Sequence, residues 1–418
     1  MISPFLKQIG IASAPNAEKL DVKLSRRLLL NPFRWRKGSY IKKLEEEFAK
    51  RFGGAGAVSF ESGRVNLWAI LKALEIGEGD EVIVQAFTCV VVPDAVLWAG
   101  AKPVYVDIRD DFNADSAAIE KAITSRTRAI VVQHTFGVPA EIDKILEIGR
   151  KRKIVVIEDC AHTVGGVYKK GVIGSWAPVS FFSFGQEKAI SSTRGGIVVT
   201  KDAGFAEKLR ELQASLKFPT RRSIVRHLFH PILWSIVSPT YYWILGKGLL
   251  WLAYRLRLTE FLVTPAELSA GKPPQFPARL ANAQARLALS QLERVDRFNK
   301  RRVELAVYYH RHLSKILGIK MLEDLSTPLL RFPLRLGDPA GLREYARKRH
   351  IILGNWYDAP IYPRGVALEK VYYKKESCLV AEKLAREVID LPLNPTMSTR
   401  EAARAVKVVR EYLKKYES

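Results

Sequence analysis

The stretch that decides the fold is residues 155–200, VVIEDCAHTVGGVYKKGVIGSWAPVSFFSFGQEKAISSTRGGIVVT. The apolar run Ile154 to Ile157 predicts a short strand that delivers Glu158 and Asp159 at its carboxyl end. A second run, Val179 to Phe184, ends in Gly185-Gln186-Glu187-Lys188, and a third, Ile197 to Thr200, follows two glycines. Open α/β sheets gather ligand-binding groups at the carboxyl ends of their strands, so Asp159 and Lys188 are expected in one pocket. A lysine amine in such a pocket forms a Schiff base with a carbonyl cofactor. A buried aspartate there holds a pyridinium nitrogen protonated, the partner that pyridoxal 5'-phosphate (PLP) requires.

Upstream, Ala57-Val58-Ser59-Phe60 reads as a strand, Glu61-Ser62-Gly63 as a turn of mostly small residues, and the apolar residues from Val65 to Leu74 as a helix closed by Gly77. A helix that starts this way aims free backbone N–H groups and the positive end of its dipole at an anion. The competing reading of Ser62 is a plain helix cap. Further strands at 81–84, 102–107 and 129–134 alternate with helices at about 93–99, 116–123 and 142–149, which predicts a parallel sheet covered on both faces. Residues 278–316 read as one long helix. Beyond it, strands 329–336 and 389–393 alternate with helices 339–349, 378–388 and 399–412, a smaller α+β unit. The expected organisation is a lead-in over 1–40, a large domain over 41–270, and a linking helix with a small domain over 271–418.

Several landmarks follow one another in a fixed order: Glu61-Ser62-Gly63-Arg64, Gly79-Asp80-Glu81-Val82-Ile83-Val84, Ala99-Gly100-Ala101-Lys102-Pro103-Val104, Glu158-Asp159, Phe182-Ser183-Phe184, Lys188, Gly195-Gly196 and Gln291-Leu292-Glu293. On these, residues 40–415 resemble the DegT/DnrJ/EryC1/StrS family of PLP-dependent sugar aminotransferases. The resemblance implies a fold-type-I transferase, a homodimer, and an amino donor, typically glutamate. It also implies a keto-sugar acceptor on a nucleotide diphosphate, and the segment described below raises a lipid carrier instead. By the same resemblance Asp159 partners the pyridine nitrogen, Lys188 carries the cofactor and moves protons, and Ser62, Gly63 and Ser183 hold its phosphate. His162 falls near the cofactor's phenolic oxygen, to hydrogen-bond it or to stack, and Trp356 to Pro360 fall where relatives face the substrate. Four positions depart from the pattern. Arg64 replaces a threonine, and its guanidinium is expected to add charge to the cofactor's phosphate site or to point toward a substrate phosphate. Cys89 stands where an aromatic residue stacks on the ring, with Phe87 as its alternative. Arg194 stands where an acid is common, and Pro277 replaces an asparagine that reaches the partner subunit's cofactor. Relatives that exchange the lysine for histidine become dehydratases, so Lys188 favours transamination. The rivals are a PLP-dependent sugar dehydratase and a non-catalytic, membrane-associated interaction or regulatory protein of the same fold.

The chain has 418 residues, 48% apolar and 26% charged, ordinary for a globular protein. Its three cysteines show no paired spacing, which argues against disulfides or a zinc site and fits a reducing, cytoplasmic compartment. No basic region followed by an apolar core opens the sequence, so no signal peptide is expected. A net charge of +24 favours anionic partners, but no nucleic-acid motif accompanies it. The charge is uneven. Residues 213–259 hold Lys217, Arg221, Arg222, Arg226, Lys247, Arg255 and Arg257, with Trp234, Trp243 and Trp251, and no acid. The uncharged run from Leu228 to Gly246 is marginal for a span of about 20 residues, and Pro231, Pro239 and Gly246 interrupt it. Apolar residues, interfacial aromatics and flanking arginines fit helices lying in an anionic headgroup layer. An enlarged dimer interface or a lid over the active site is the alternative.

Overall fold

Seven short apolar runs become one sheet: β1 (Gly56–Phe60), β2 (Glu81–Gln85), β3 (Lys102–Val106), β4 (Thr127–Gln133), β5 (Val155–Asp159), β6 (Val179–Ser183) and β7 (Gly196–Thr200). The strand order is β1-β7-β6-β5-β4-β2-β3. From β6 to β3 the strands are parallel, while β7 is antiparallel to both its neighbours. Strands β1, β2 and β7 are buried along their whole length, the signature of a sheet covered on both faces. This computed structural model describes residues 8–10, 14–241, 244–256, 258–259 and 261–416. Residues 1–7 and 11–13 of the N-terminal stretch read above, and Tyr242, Trp243 and Arg257 of the cationic segment, lie outside the described residues.

The helices of this half are α1 (Lys19–Leu29), α2 (Ser39–Phe52), α3 (Gly63–Ala73), α4 (Val91–Ala99), α5 (Ser116–Ala122), α6 (Ile142–Arg152) and α7 (Ala203–Ser215). Phe48 and Phe52 of α2 pack on Phe182 of β6, with Phe52 and Phe182 centroids 4.4 Å apart. They clamp the strand that carries Ser183. The cationic segment folds as α8 (Arg221–Thr240) and α9 (Ile244–Arg255). Pro231 and Pro239 sit inside α8 rather than ending it. Helix α1, from the lead-in, packs on α8.

The expected single helix over 278–316 is instead two, α10 (Asn282–Leu292) and α11 (Val295–Leu313). Ala278 and Arg279 are held extended, in isolated bridges to Lys217 and Phe60. The break at Arg294 turns its guanidinium onto Asp21, at 2.5 Å, and Glu18. A side-chain demand from α1 thus outweighs helix propensity at one residue. Beyond it, β8 (Lys320–Met321), β9 (Arg331–Arg335) and β10 (Val388–Pro392) form an antiparallel sheet. Helices α11, α12 (Pro339–Arg347), α13 (Leu379–Glu387) and α14 (Thr399–Tyr416) accompany it.

Side chains alternate across a strand, so the two adjacent acids of β5 meet different surroundings. Glu158 is buried and accepts hydrogen bonds from the N–H groups of Gly174, Trp176 and Ala177 and from His134 Nε2. His134 Nδ1 accepts from Ala140 N–H, which assigns the proton to Nε2. His134, Glu158 and Cys160 are close enough together for a metal ion, but the imidazole nitrogens and carboxylate oxygens are committed to these bonds. Burial pushes Glu158 up, and the His134 contact with the Ala177 and Gly174 N–H groups more than reverses it, leaving a lowered carboxyl. Glu158→Ala is expected to cost about 3–5 kcal/mol, because it strands the three N–H groups and His134 in the interior. Glu158→Gln, which keeps one acceptor oxygen, is expected to cost less. Urea midpoints of the two variants check the order.

Candidate active site

The carboxyl ends of β5 and β6 and the amino end of α3 surround a cavity of about 130 Å³. Asp159, His162, Ser183 and Lys188 line it together with Ser62 and Gly63. The structure therefore brings together residues that the sequence places up to a third of the chain apart.

Lys188 lies on the turn after β6, with its ammonium 4.6 Å from the centroid of the Trp356 ring. Burial pulls its amine down to about 8, against the pull of Cys89 and Asp159, and the Arg331 guanidinium adds to the decrease. Asp159 is 2% exposed and accepts one hydrogen bond, from Ala161 N–H at 2.9 Å. Burial raises its carboxyl to about 6, with that N–H and the Lys188 charge acting the other way. Both groups are thus held in a dry site, the condition under which pKa values are tuned for chemistry. The position of Lys188 does not depend on its strand alone. Asn16 donates to the Lys188 carbonyl at 2.7 Å and to that of Ala189 at 3.1 Å, and Arg302 donates to Ala189 O at 2.8 Å. Arg331 of β9 sits 3.4 Å from the Trp356 centroid and pairs with Glu187, while Asp390 of β10 accepts from Trp356 N–H at 2.8 Å. Neither Asn16 nor Arg302 carries a sequence signal, because each acts on the site through contacts more than a hundred residues away.

The amino end of α3 fits a phosphate. Ser62 precedes the helix, but its hydroxyl makes no cap bond. Its Oγ is buried without a hydrogen-bond partner among the described residues. A Cβ on Gly63 would lie 3.1 Å from Ser183 Cβ and 3.3 Å from its Oγ. Glycine therefore keeps open the space between the helix start and Ser183. An orphaned hydroxyl, a second hydroxyl and a helix terminus around one gap are the groups that an anion requires, and Ser62 makes no cap bond.

The remaining candidates are placed differently. His162 lines the cavity, but Phe136 N–H donates to its Nδ1 at 3.1 Å, so Nε2 carries the proton and faces Tyr357 Oη at 3.1 Å. Burial holds the ring neutral, well below its usual range, and it stacks on Trp356 at 5.0 Å. Cys89 lines the cavity. Burial pushes its thiol up, so it is not an activated nucleophile. Phe87 does not line the cavity. It is fully buried among Phe112, Phe136 and Tyr357, so it cannot replace the missing stacking ring. Arg64 and Arg194 both reach the cavity, yet each already has an acid. Arg194 pairs with Glu61 at 2.7 Å. Arg64 pairs with the fully buried Glu267 and donates to Leu262 O at 2.7 Å. Arg64 therefore ties down the loop of Phe261, Leu262 and Val263, which forms another wall of the cavity.

Two outcomes follow. Arg64→Ala leaves Glu267 buried without its cation, and a loss of about 3–5 kcal/mol is expected in thermal or urea unfolding. A double-mutant cycle with Glu267→Gln should return a coupling above about 1 kcal/mol. For Asp159 the folded carboxyl is raised, so the site costs stability as pH rises from 3.8 towards about 6 and carries the full penalty above that. Asp159→Asn removes the charge and should stabilise the cofactor-free protein by up to about 3 kcal/mol at pH 8. The gain should shrink towards pH 4, as pH-dependent melts will show.

Comparison with known proteins agrees with this geometry. The profile of the DegT/DnrJ/EryC1/StrS aminotransferase family matches residues 21–230 and 265–410. The chain is 30% identical over 387 residues to the UDP-N-acetyl-3-dehydro-alpha-D-glucosamine 3-aminotransferase of Acidithiobacillus ferrooxidans, covering 90% of this chain and 89% of that one. Among solved structures, Streptomyces venezuelae DesV in complex with a ketimine intermediate superposes with a TM-score of 0.73 at 27% identity, covering 94% of each chain. NtdA of Bacillus subtilis with its cofactor PMP bound has the same fold, with a TM-score of 0.73 at 21% identity over 94% of this chain and 82% of that one. The chain belongs to the DegT/DnrJ/EryC1/StrS family and is a PLP-dependent aminotransferase.

Proposed function

We propose that this enzyme transfers an amino group, with L-glutamate as donor, to a keto-sugar carried on a nucleotide diphosphate. The observation that carries the reading is the pair of dry, tuned groups, Lys188 and Asp159, beside an anion site with an unpartnered hydroxyl. Bound PLP supplies an electron sink. Lys188 attaches it and moves the proton at Nζ. Its amine at about 8 allows both protonation states near neutral pH. Asp159 would partner the pyridine nitrogen, and Ser62, Gly63 and Ser183 would hold the phosphate. Trp356 packs over the Lys188 ammonium, and the Phe261–Val263 loop adds an apolar wall to the cavity.

The acceptor class is supported by the name of the Acidithiobacillus relative, a UDP-linked dehydro sugar enzyme. The net charge of +24 suits a diphosphate carrier, whether nucleotide or lipid. The three unpaired cysteines support a cytoplasmic setting, and the family resemblance supports a homodimer. Among the described residues no helix is long and apolar enough to cross a membrane. The cations and aromatics of 213–259 support peripheral contact with an anionic membrane.

Absorbance of the PLP-loaded protein tests the reading. A yellow band that L-glutamate bleaches, and that a UDP- or GDP-linked keto-sugar restores with formation of an amino sugar, is the expected result. A band that glutamate leaves unchanged rejects the donor. Release of a deoxy sugar instead of an amino sugar favours the dehydratase. No band at all favours the non-catalytic protein. Lys188→Ala should reduce turnover by at least about 10²–10⁴-fold, the usual worth of a positioned proton-transfer group.

A further inference from the structure

Helix α9 shows water an apolar face that a globular enzyme ordinarily hides. Trp251 is 62% exposed, Leu256 52% and Leu252 44%, with Leu249 beside them. Among the described residues the opposite side is packed, through Ala253 and Leu250 against Leu233, Trp234 and Val237 of α8. Contiguous exposed apolar surface of this kind marks an interaction site. Its charge is equally one-sided. Lys247 and Arg255 are exposed on the same helix, Arg255 lies 5.7 Å from the Trp251 ring, and no acid occurs between Gln213 and Thr259.

One neighbouring feature extends the surface. The chain leaves α9 and reaches Phe261 and Leu262, which are exposed and also line the active-site cavity. The family match omits residues 231–264, which hold the end of α8, all of α9 and Phe261–Leu262.

We infer that α9, with Phe261 and Leu262, lies in the headgroup layer of an anionic phospholipid membrane and sets the mouth of the active site against it. The inference rests on the peripheral-membrane reading above and names the surface that carries it. Trp251 and the leucines enter the acyl boundary, while Lys247 and Arg255 meet lipid phosphates. A contact between two copies of the chain is the alternative occupant, and it would show as a change of oligomeric state rather than of vesicle binding.

Flotation of the full-length, PLP-loaded protein with vesicles of phosphatidylcholine, alone or mixed with phosphatidylglycerol, is the test. Recovery with the mixed vesicles and not with phosphatidylcholine alone is expected. The triple variant Trp251→Ser, Leu252→Ser, Leu256→Ser should lower recovery about tenfold or more. The pair Lys247→Glu, Arg255→Glu should lower it as well, and it changes only exposed residues if the triple variant folds poorly. Equal recovery of wild type and both variants, or no recovery of wild type with either vesicle, overturns the inference. So does a triple variant that goes from dimer to monomer in gel filtration with its flotation unchanged, which would mark a contact between copies. Bleaching of the visible band by L-glutamate, read on the same samples, reports the chemistry separately. Its loss with flotation retained would reject the proposed reaction and leave the docking surface standing.

Discussion

Keeping a lysine and an aspartate dry in one cavity is the constraint on which this structure depends. Desolvation opposes the charge on both, lowering Lys188 to about 8 and raising Asp159 to about 6. Neither shift is free, and the surrounding elements supply what holds the groups in place. Asn16 and Arg302 fix the backbone at Lys188 and Ala189. Arg331 and Asp390, from the smaller sheet, fix Trp356 beside the lysine ammonium. The site therefore needs the lead-in, both sheets and the linking helices at once.

Two adjacent acids on β5 show how satisfaction separates structure from function. Glu158 is as deeply buried as Asp159, but three backbone N–H groups and His134 meet it, so its carboxyl is lowered. Asp159 has a single N–H donor and is raised. An acid with full partners is a structural post, and one left short of partners is ready for a ligand that completes it. Ser62 belongs with the second kind, and Gly63 keeps the room beside it.

The cations of the cavity wall and of α9 divide in the same way. Arg64 and Arg194 are each answered by an acid from this chain. Arg64 spends its charge on Glu267, and by doing so it joins the start of α3 to the loop that follows α9. The cations of α9 have no acid within their own segment. One set holds the pocket shut, and the other faces outward beside exposed tryptophan and leucine.

Much of this was legible in the sequence. The apolar runs gave the parallel sheet, because a strand buried on both faces needs apolar side chains throughout. The ends of those runs pointed to Asp159, Lys188 and the Ser62-Gly63 turn as neighbours, because strand ends and helix starts are local features, and the family resemblance added Ser183. The lack of acids over 213–259 was equally plain. Tertiary structure alone decided the rest. It buried Phe87 in an aromatic core instead of the cavity, satisfied both nitrogens of His162, turned Arg64 to Glu267, and broke the long helix at Arg294. Each of these outcomes depends on a partner remote in sequence, and neither pattern nor propensity records which distant group a side chain will meet.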